Sequence, residues 1–303
     1  MFIFAKEQKV FKIGKIQIGG QPGQNSPVLI GSIFFKSHKI VEDERKGIFD
    51  KKKAESLINA QDEWAEKTGI SAIIDVVGEY SEALIRYIEF VVSNTDTPLL
   101  MDGTTGKVRI PVCQHLKEIG LKDQIIYNSI DYYSNDVEIN AIKEAGLKQS
   151  VLLAYGPRFI WPKDKLKLVA GEIQGKNLLE KAQQAGVEKL LIDTAVLDPP
   201  SIGLAARAIY LVKEELGLPA GTAPCNSIYT WAKGNEFNAI KNSIISTSAM
   251  LHTLGADFIL YGSILHAPLI FPALAIVESC IAYNNRHEFK IRQSEGHPIT
   301  KIF

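Results

Sequence analysis

The sequence predicts a closed (β/α)8 barrel, and three observations predict it. Eight short apolar runs read as buried parallel strands. Stretches with apolar residues three or four positions apart, the spacing of an amphipathic helix, lie between them. Five segments repeat one layout, an amphipathic stretch, a glycine, a few residues and then an apolar run: EKTGISAIIDVVG, KEIGLKDQIIYNSI, KEAGLKQSVLLAYG, QQAGVEKLLIDTAV and HTLGADFILYGSI. A glycine just past a helix takes the left-handed conformation that ends it at low steric cost, so each segment reads as the step from helix to strand. An open doubly wound sheet is the alternative arrangement of the same elements.

The elements follow in order. FIFAKEQKVFKIGKIQIGG alternates apolar and polar residues about Gly14-Lys15 and predicts a β-hairpin over residues 1–20, set to cover the N-terminal end of the barrel. The strands are expected at 26–35, 71–78, 98–103, 124–129, 150–155, 189–194, 222–227 and 257–262. Helical patterns are KKAESLINAQDEWAEKTG, SEALIRYIEFVVSN, VEINAIKEAG, KNLLEKAQQAG, SIGLAARAIYLVKEELG and EFNAIKNSIISTSAMLHTLG, with Ser81, Asp136 and Ser201 as candidate N-caps. The segment 106–120 is a weaker helix, because Pro111 must sit in its first turn or kink it. APLIFPALAIVESCIAY, with two prolines and Glu278, reads as a buried helix and not as a membrane span. The tail 284–303 has no clear periodicity and reads as an extended or mobile arm. No linker divides the chain, so residues 1–303 read as one domain.

Composition narrows the class. The 303 residues are 46% hydrophobic and 22% charged, and 34 basic residues balance 34 acidic ones. That balance offers no electrostatic case for nucleic acid or an anionic membrane surface. Cys113, Cys225 and Cys280 lie far apart with no C-x-x-C, which fits a reducing cytoplasm better than a disulfide framework. The N-terminus lacks the apolar stretch of a signal peptide.

In such barrels the chemistry lies where the strands end. The expected strand ends carry Ser32 on strand one, Asp75 on two, Asp102 on three, Asn128 on four, Gly156 on five, Asp193 on six, Asn226 on seven and Ser263 on eight. Four of these, Asp102, Asn128, Asp193 and Asn226, close apolar runs where an unbonded polar group is costly, and a shared ligand is the simplest account. No lysine is expected at a strand end, which argues against a Schiff-base aldolase. No pair of histidines converges with a carboxylate as a metal site requires, and G-x-G-x-x-G and the P-loop pattern are absent. His38 with Glu42 and Asp43 reads as a solvated loop. Carboxylates accept paired N–H groups in a plane, and amides both donate and accept. The residues alone therefore point to a flat, nitrogen-rich, uncharged heterocycle.

LLMDGTTG, IYNSI, LLIDTAV and PCNSI, in this order and at these strand ends, resemble the pterin-binding methyltransferases, barrels related to dihydropteroate synthase. Within them, IGGQPGQNSPVLIGSIFF followed by HKIVEDERKGIFDK is similar to the group formed by the H subunits of tetrahydromethanopterin S-methyltransferase and their bacterial relatives. The resemblance implies that Asp102, Asn128 and Asp193 clamp a pterin, with Ser32 and Gly156 beside them, and that Asn226 is the catalytic residue near N5. It implies methyl transfer between N5 of tetrahydrofolate, or of tetrahydromethanopterin, and the cobalt of a corrinoid (cobalamin) carried by a partner protein. Tetrahydrofolate as the acceptor is the first expectation, a tetrahydromethanopterin-specific subunit of a larger complex the second, and a non-catalytic binding subunit the third. The corrinoid side falls on His266 and Tyr132, which also read as ordinary loop residues, and a homodimer is implied. Strand two departs from the pattern with Asp75-Val-Val, so Asp75 reads as structural. Dihydropteroate synthase chemistry lacks the Lys and Arg pattern at strands seven and eight.

Overall fold

The computed structural model describes residues 1–120, 123–232 and 237–303, with all side chains among them except those of 237 and 238. Eight parallel strands close into a barrel: one, Val28–Ile33; two, Ser71–Gly78; three, Leu99–Gly103; four, Ile125–Ile130; five, Gln149–Leu153; six, Lys189–Asp193; seven, Ala220–Thr222; and eight, Phe258–Ser263. Neighbours in sequence are neighbours in the barrel, and strand eight pairs with strand one from Phe258 against Val28 to Ser263 against Ser32. The glycines of the repeat end their helices in the left-handed region, with φ of 73° at Gly69 and Gly120 and 71° at Gly146 and Gly186.

Side chains alternate across a strand, so one set fills the lumen and the other packs under the helices. The lumen set is Val28, Ile30, Ile73, Leu100, Ile126, Val151, Leu191 and Phe258. Ile13 and Ile18 join it from the N-terminal hairpin, Val10–Ile13 paired antiparallel with Ile16–Gly19. The hairpin thus plugs the N-terminal end, as its alternation predicts. Burying two isoleucines there stabilises the closure by about 1.5–3 kcal/mol each.

Three elements differ from expectation. Strand seven stops at Thr222, and Pro224–Trp231 is a helix with Pro224 in its first turn, where its missing N–H costs nothing. A helix with no counterpart in the expected order, Pro162–Ala170, follows strand five and starts in the same way. Capping also shifts: Asn135 takes the place of Asp136 and accepts from the Glu138 amide, while Tyr80 occupies the cap position before Ser81. Pro111 lies inside the helix Gly106–Ile119, beyond its first turn. The helix expected from Glu236 is observed over Phe237–Thr253, and Glu236 lies outside the described residues.

The long apolar helix Ala267–Glu288 has the length and composition of a membrane span but is a barrel helix here. Its Glu278 is fully buried, with His252 at 2.6 Å and His297 at 2.7 Å. His297 ties residues of the expected arm to the barrel, and the helix itself runs into that arm as far as Glu288.

Candidate functional site

The lumen alternation continues upward into polar residues. Ser32 stands two residues after Ile30, Asp75 two after Ile73, Asp102 two after Leu100, Asn128 two after Ile126 and Asp193 two after Leu191. Period two places all five on the inner face, in a layer above the apolar fill. Backbone register sets Ser32 opposite Asp75 and Asp102 opposite Asn128.

A cavity of about 1200 Å³ opens over this layer. Its wall includes Ser32, Asp75, Asp102, Asn226, His38 and His266. Asn128, Asp193 and Gly156 lie outside that wall. Gly156 packs beneath Tyr132 and Phe159, where a Cβ would approach each ring to 3.2 Å. Tyr132 is exposed, with Tyr133, Trp161 and Trp231 on neighbouring loops and helix ends.

Three carboxylates of the layer are held without an ion pair among the described residues. Asp75 takes the Ser32 hydroxyl at 2.6 Å on Oδ2, while its buried Oδ1 has no partner. Burial, and then the charge of Asp102, raise its pKa well above the usual carboxylate range. Asp102 is pushed up to about 6 by burial, with Asp193 adding to the shift and Arg109 opposing it. Asp193 is raised by burial against the Ala195 amide, which donates to it at 2.8 Å.

Two buried cations sit behind the layer, and neither is free to pair with it. The Arg109 guanidinium donates to Glu138 at 2.6 Å and to the Gly103 carbonyl at 2.7 Å, and Nε reaches Tyr127 at 2.9 Å. Lys165, from the unexpected helix Pro162–Ala170, donates to the carbonyls of Thr194 at 2.5 Å and Ala195 at 3.1 Å. Burial lowers its pKa to about 8 against the pull of Asp193. Lys165 comes from a helix and not from a strand end, and an ammonium spent on two carbonyls is a poor Schiff-base nucleophile. Lys165 instead pins the turn that follows Asp193.

Asn226 is exposed and belongs to the first turn of the helix Pro224–Trp231, not to a strand end. Gly262, at φ 88°, lets that helix close on strand eight: a Cβ there would lie 3.1 Å from the Cβ of Cys225. His266 is buried, with Nδ1 3.1 Å from the Tyr229 hydroxyl, so it is part of the cavity wall and not of the outer rim. His38 is also buried, its Nδ1 accepting from the Phe34 amide, and burial lowers its pKa to about 4. The solvated-loop expectation for His38 therefore fails. Among the described residues no group of three His, Cys, Asp or Glu side chains is arranged to hold a metal.

Asp75 is the residue that motif reading set aside. Its signal is in the sequence, since Ile73 and Asp75 keep the same two-residue step as Leu100 and Asp102.

Residues 6–293 match the family model described as tetrahydromethanopterin S-methyltransferase MtrH subunit. The chain is 37% identical to the H subunit of tetrahydromethanopterin S-methyltransferase from Methanopyrus kandleri, over 98% of each chain. It is 38% identical to the same subunit from Methanococcus maripaludis, over 100% of each. Among solved structures, dihydropteroate synthase of Yersinia pestis with a pterine-sulfa conjugate superposes with TM-score 0.63 at 14% identity, covering 90% of this chain and 98% of that one. The Xanthomonas albilineans enzyme with 4-aminobenzoic acid gives 0.56 at 16% identity, covering 91% and 98%. At such identity these two carry the fold alone.

Proposed function

Because the chain belongs to the tetrahydromethanopterin S-methyltransferase MtrH subunit family, we propose that it is a methyltransferase subunit acting on a reduced pterin. The observation that carries the reading is the layer of buried and half-buried carboxylates, without ion pairs among the described residues, at one barrel mouth. Asp102 and Asp193 are costly as they stand, and a planar edge of N–H donors would satisfy both together. Asp102 and Asp193 are the clamp in this reading, with Asn128 matching ring nitrogen or carbonyl. The relatives named above bear the name of tetrahydromethanopterin, which favours that pterin over the tetrahydrofolate of the first expectation. Their designation as a subunit likewise favours work within a larger assembly.

The cavity is larger than the usual small-molecule pocket of roughly 300–1,000 Å³. That supports a second reactant above the pterin, in our reading a corrinoid presented by a partner protein, with the exposed rings of Tyr132, Tyr133, Trp161 and Trp231 as the rim it meets. The corrinoid would supply the nucleophile or the methyl donor, depending on direction. Asn226, on the cavity wall, is placed by the same reading at N5. An amide follows a change of charge at N5 without titrating, and such a preorganised contact contributes up to about 3–4 kcal/mol to the transition state. Holding two bulky reactants in line supplies much of the remainder.

The test is loss of methyl-cobalt absorption when the chain is mixed with methylcobalamin, or a methylated corrinoid protein, and either tetrahydromethanopterin or tetrahydrofolate. Turnover with the first and not the second is the expected result. Binding of the pterin without turnover would instead make the chain a binding subunit that needs its partners. N226A should lower turnover at least tenfold while the pterin Kd moves little; a change in Kd alone would remove Asn226 from N5.

A further inference from the structure

We propose that Asp75 is the acid of this site: its Oδ1 hydroxyl bonds N5 of the pterin and passes N5 a proton as the methyl group departs. The proposal rests on the pterin reading above and names a residue that reading leaves without a role.

Three geometric facts support it. Asp75 is 2% exposed yet lines the cavity. The Ser32 hydroxyl donates to Oδ2 at 2.6 Å, so a proton on this carboxyl belongs on Oδ1, the oxygen that has no partner. A buried polar atom left unbonded costs on the order of 1–3 kcal/mol, which a ligand atom at that point would recover.

The surroundings decide which carboxyl keeps the proton. Strand one offers Ser32 and strand three Asp102. The helix Pro224–Trp231 offers Cys225, whose thiol burial and then the charge of Asp75 push up to about 12. On the helices above, Lys53 lines the same cavity but pairs with Asp50 at 2.9 Å, and Lys241 lines it beside His266. Asp102 feels Arg109 and Asp75 does not. Two interacting carboxyls share their protons as a pair, and the one further from positive charge holds the last proton longer.

The chemistry needs such a group. An N5 anion is a poor leaving group, so the methyl leaves readily only as N5 gains a proton. The N5–C bond breaks with its electron pair staying on N5, and the methyl passes to the nucleophilic reduced corrinoid of the proposed reaction. The Oδ1–H bond breaks and the proton joins N5. Asp75 remains as a carboxylate and is reprotonated by water through the open mouth. Asn226 then accepts the new N5–H. A positioned acid of this kind contributes about 10²–10⁴-fold.

The experiment measures the Kd of 5-methyl-tetrahydromethanopterin against pH, and single-turnover methyl transfer to cob(I)alamin, for the wild type, D75N and S32A. Wild-type affinity should fall as pH rises through the Asp75 pKa, because the carboxylate then faces the N5 lone pair. D75N keeps an N–H donor, so its Kd should stay within about threefold at neutral pH, its high-pH loss should vanish, and transfer should slow at least tenfold. S32A removes a bond that favours the ionised form, so its affinity loss should move to higher pH. A D75N protein with the wild-type rate and pH profile overturns the proposal. So does a Kd raised more than a hundredfold, which would mark Asp75 as an ionised member of the clamp. Should D75N fail to fold, an unshifted S32A profile overturns it alone. A wild type that binds no tetrahydropterin sinks the pterin reading itself, a result distinct from any failure of the variants.

Discussion

Toward the N-terminal end of the barrel, Glu278 lies between His252 and His297, and Lys213 meets Asp257 at 2.5 Å and the Gly20 carbonyl at 3.0 Å. At the mouth, Asp75 and Asp193 are buried and Asp102 is half-buried, and none forms an ion pair among the described residues. The lower end answers each buried charge from within the chain. The mouth does not pair its carboxylates with a cation among the described residues. Burial pushes every one of these carboxyls up, at Asp257 enough to prevail over Lys213, and the partners set how far. Burial pushes Glu278 up, but the two imidazoles outweigh it and hold the carboxyl below its usual range. Asp102 has only a distant guanidinium, already occupied by Glu138, and rises.

The contrast breaks most visibly at Glu278. E278A leaves two buried imidazoles without their acceptor and should cost about 3–5 kcal/mol in chemical denaturation. Pterin affinity, measured well below the new Tm, should stay unchanged; if it fell with stability, the two ends would not be separable. Next comes D193A, which should weaken pterin binding at least tenfold, since a charge-assisted contact is lost. An unchanged Kd would take Asp193 out of the site. Stability of the free protein should not fall in step, because the variant removes a buried carboxylate that no cation neutralises.

The smallest effect sharpens the comparison through pH. Glu278 is lowered, so its contribution is complete above the unfolded carboxylate value and is lost as pH falls through the folded one. Asp102 runs the other way: the folded chain keeps a proton up to about 6 that the unfolded chain releases near pH 4, so this group weakens the fold as pH rises across that window. D102N should therefore stabilise the free protein at pH 7 by on the order of 1–2 kcal/mol and flatten that slope, while weakening pterin binding. Urea denaturation at pH 4, 5, 6 and 7 checks it, and a D102N protein less stable than wild type at pH 7 would mean that the mouth is balanced after all.

Much of the barrel was legible because its signals are local. A glycine past an amphipathic stretch ends a helix wherever it occurs, and Gly69, Gly120, Gly146 and Gly186 do so. The alternation of FKIGKIQIG predicted the hairpin that plugs the lumen. Strand seven misled because AGTAPCNS is too short to show a period, although Pro224 argued against a ladder position. Pro162–Ala170 was missed although Pro162 marks its start, and with it Lys165, whose role arises only when the helix lays it against the carbonyls after Asp193.

By itself the sequence determined the strand order, the mouth of the barrel and the polar residues standing on its inner face, because each follows from a period of two or from a cap a few residues away. Only the tertiary structure decided which of those residues are paired. Ser32 and Asp75, or Arg109 and Glu138, are far apart in the chain and meet through the closure of the barrel and the packing of its helices. The state of a carboxyl depends on those through-space neighbours and on burial, not on its own position in a motif. That is why Asp102 and Asp193 could be picked out as strand ends, while Asp75 became a candidate acid only once its Oδ1 was found buried beside a cavity with nothing to bond.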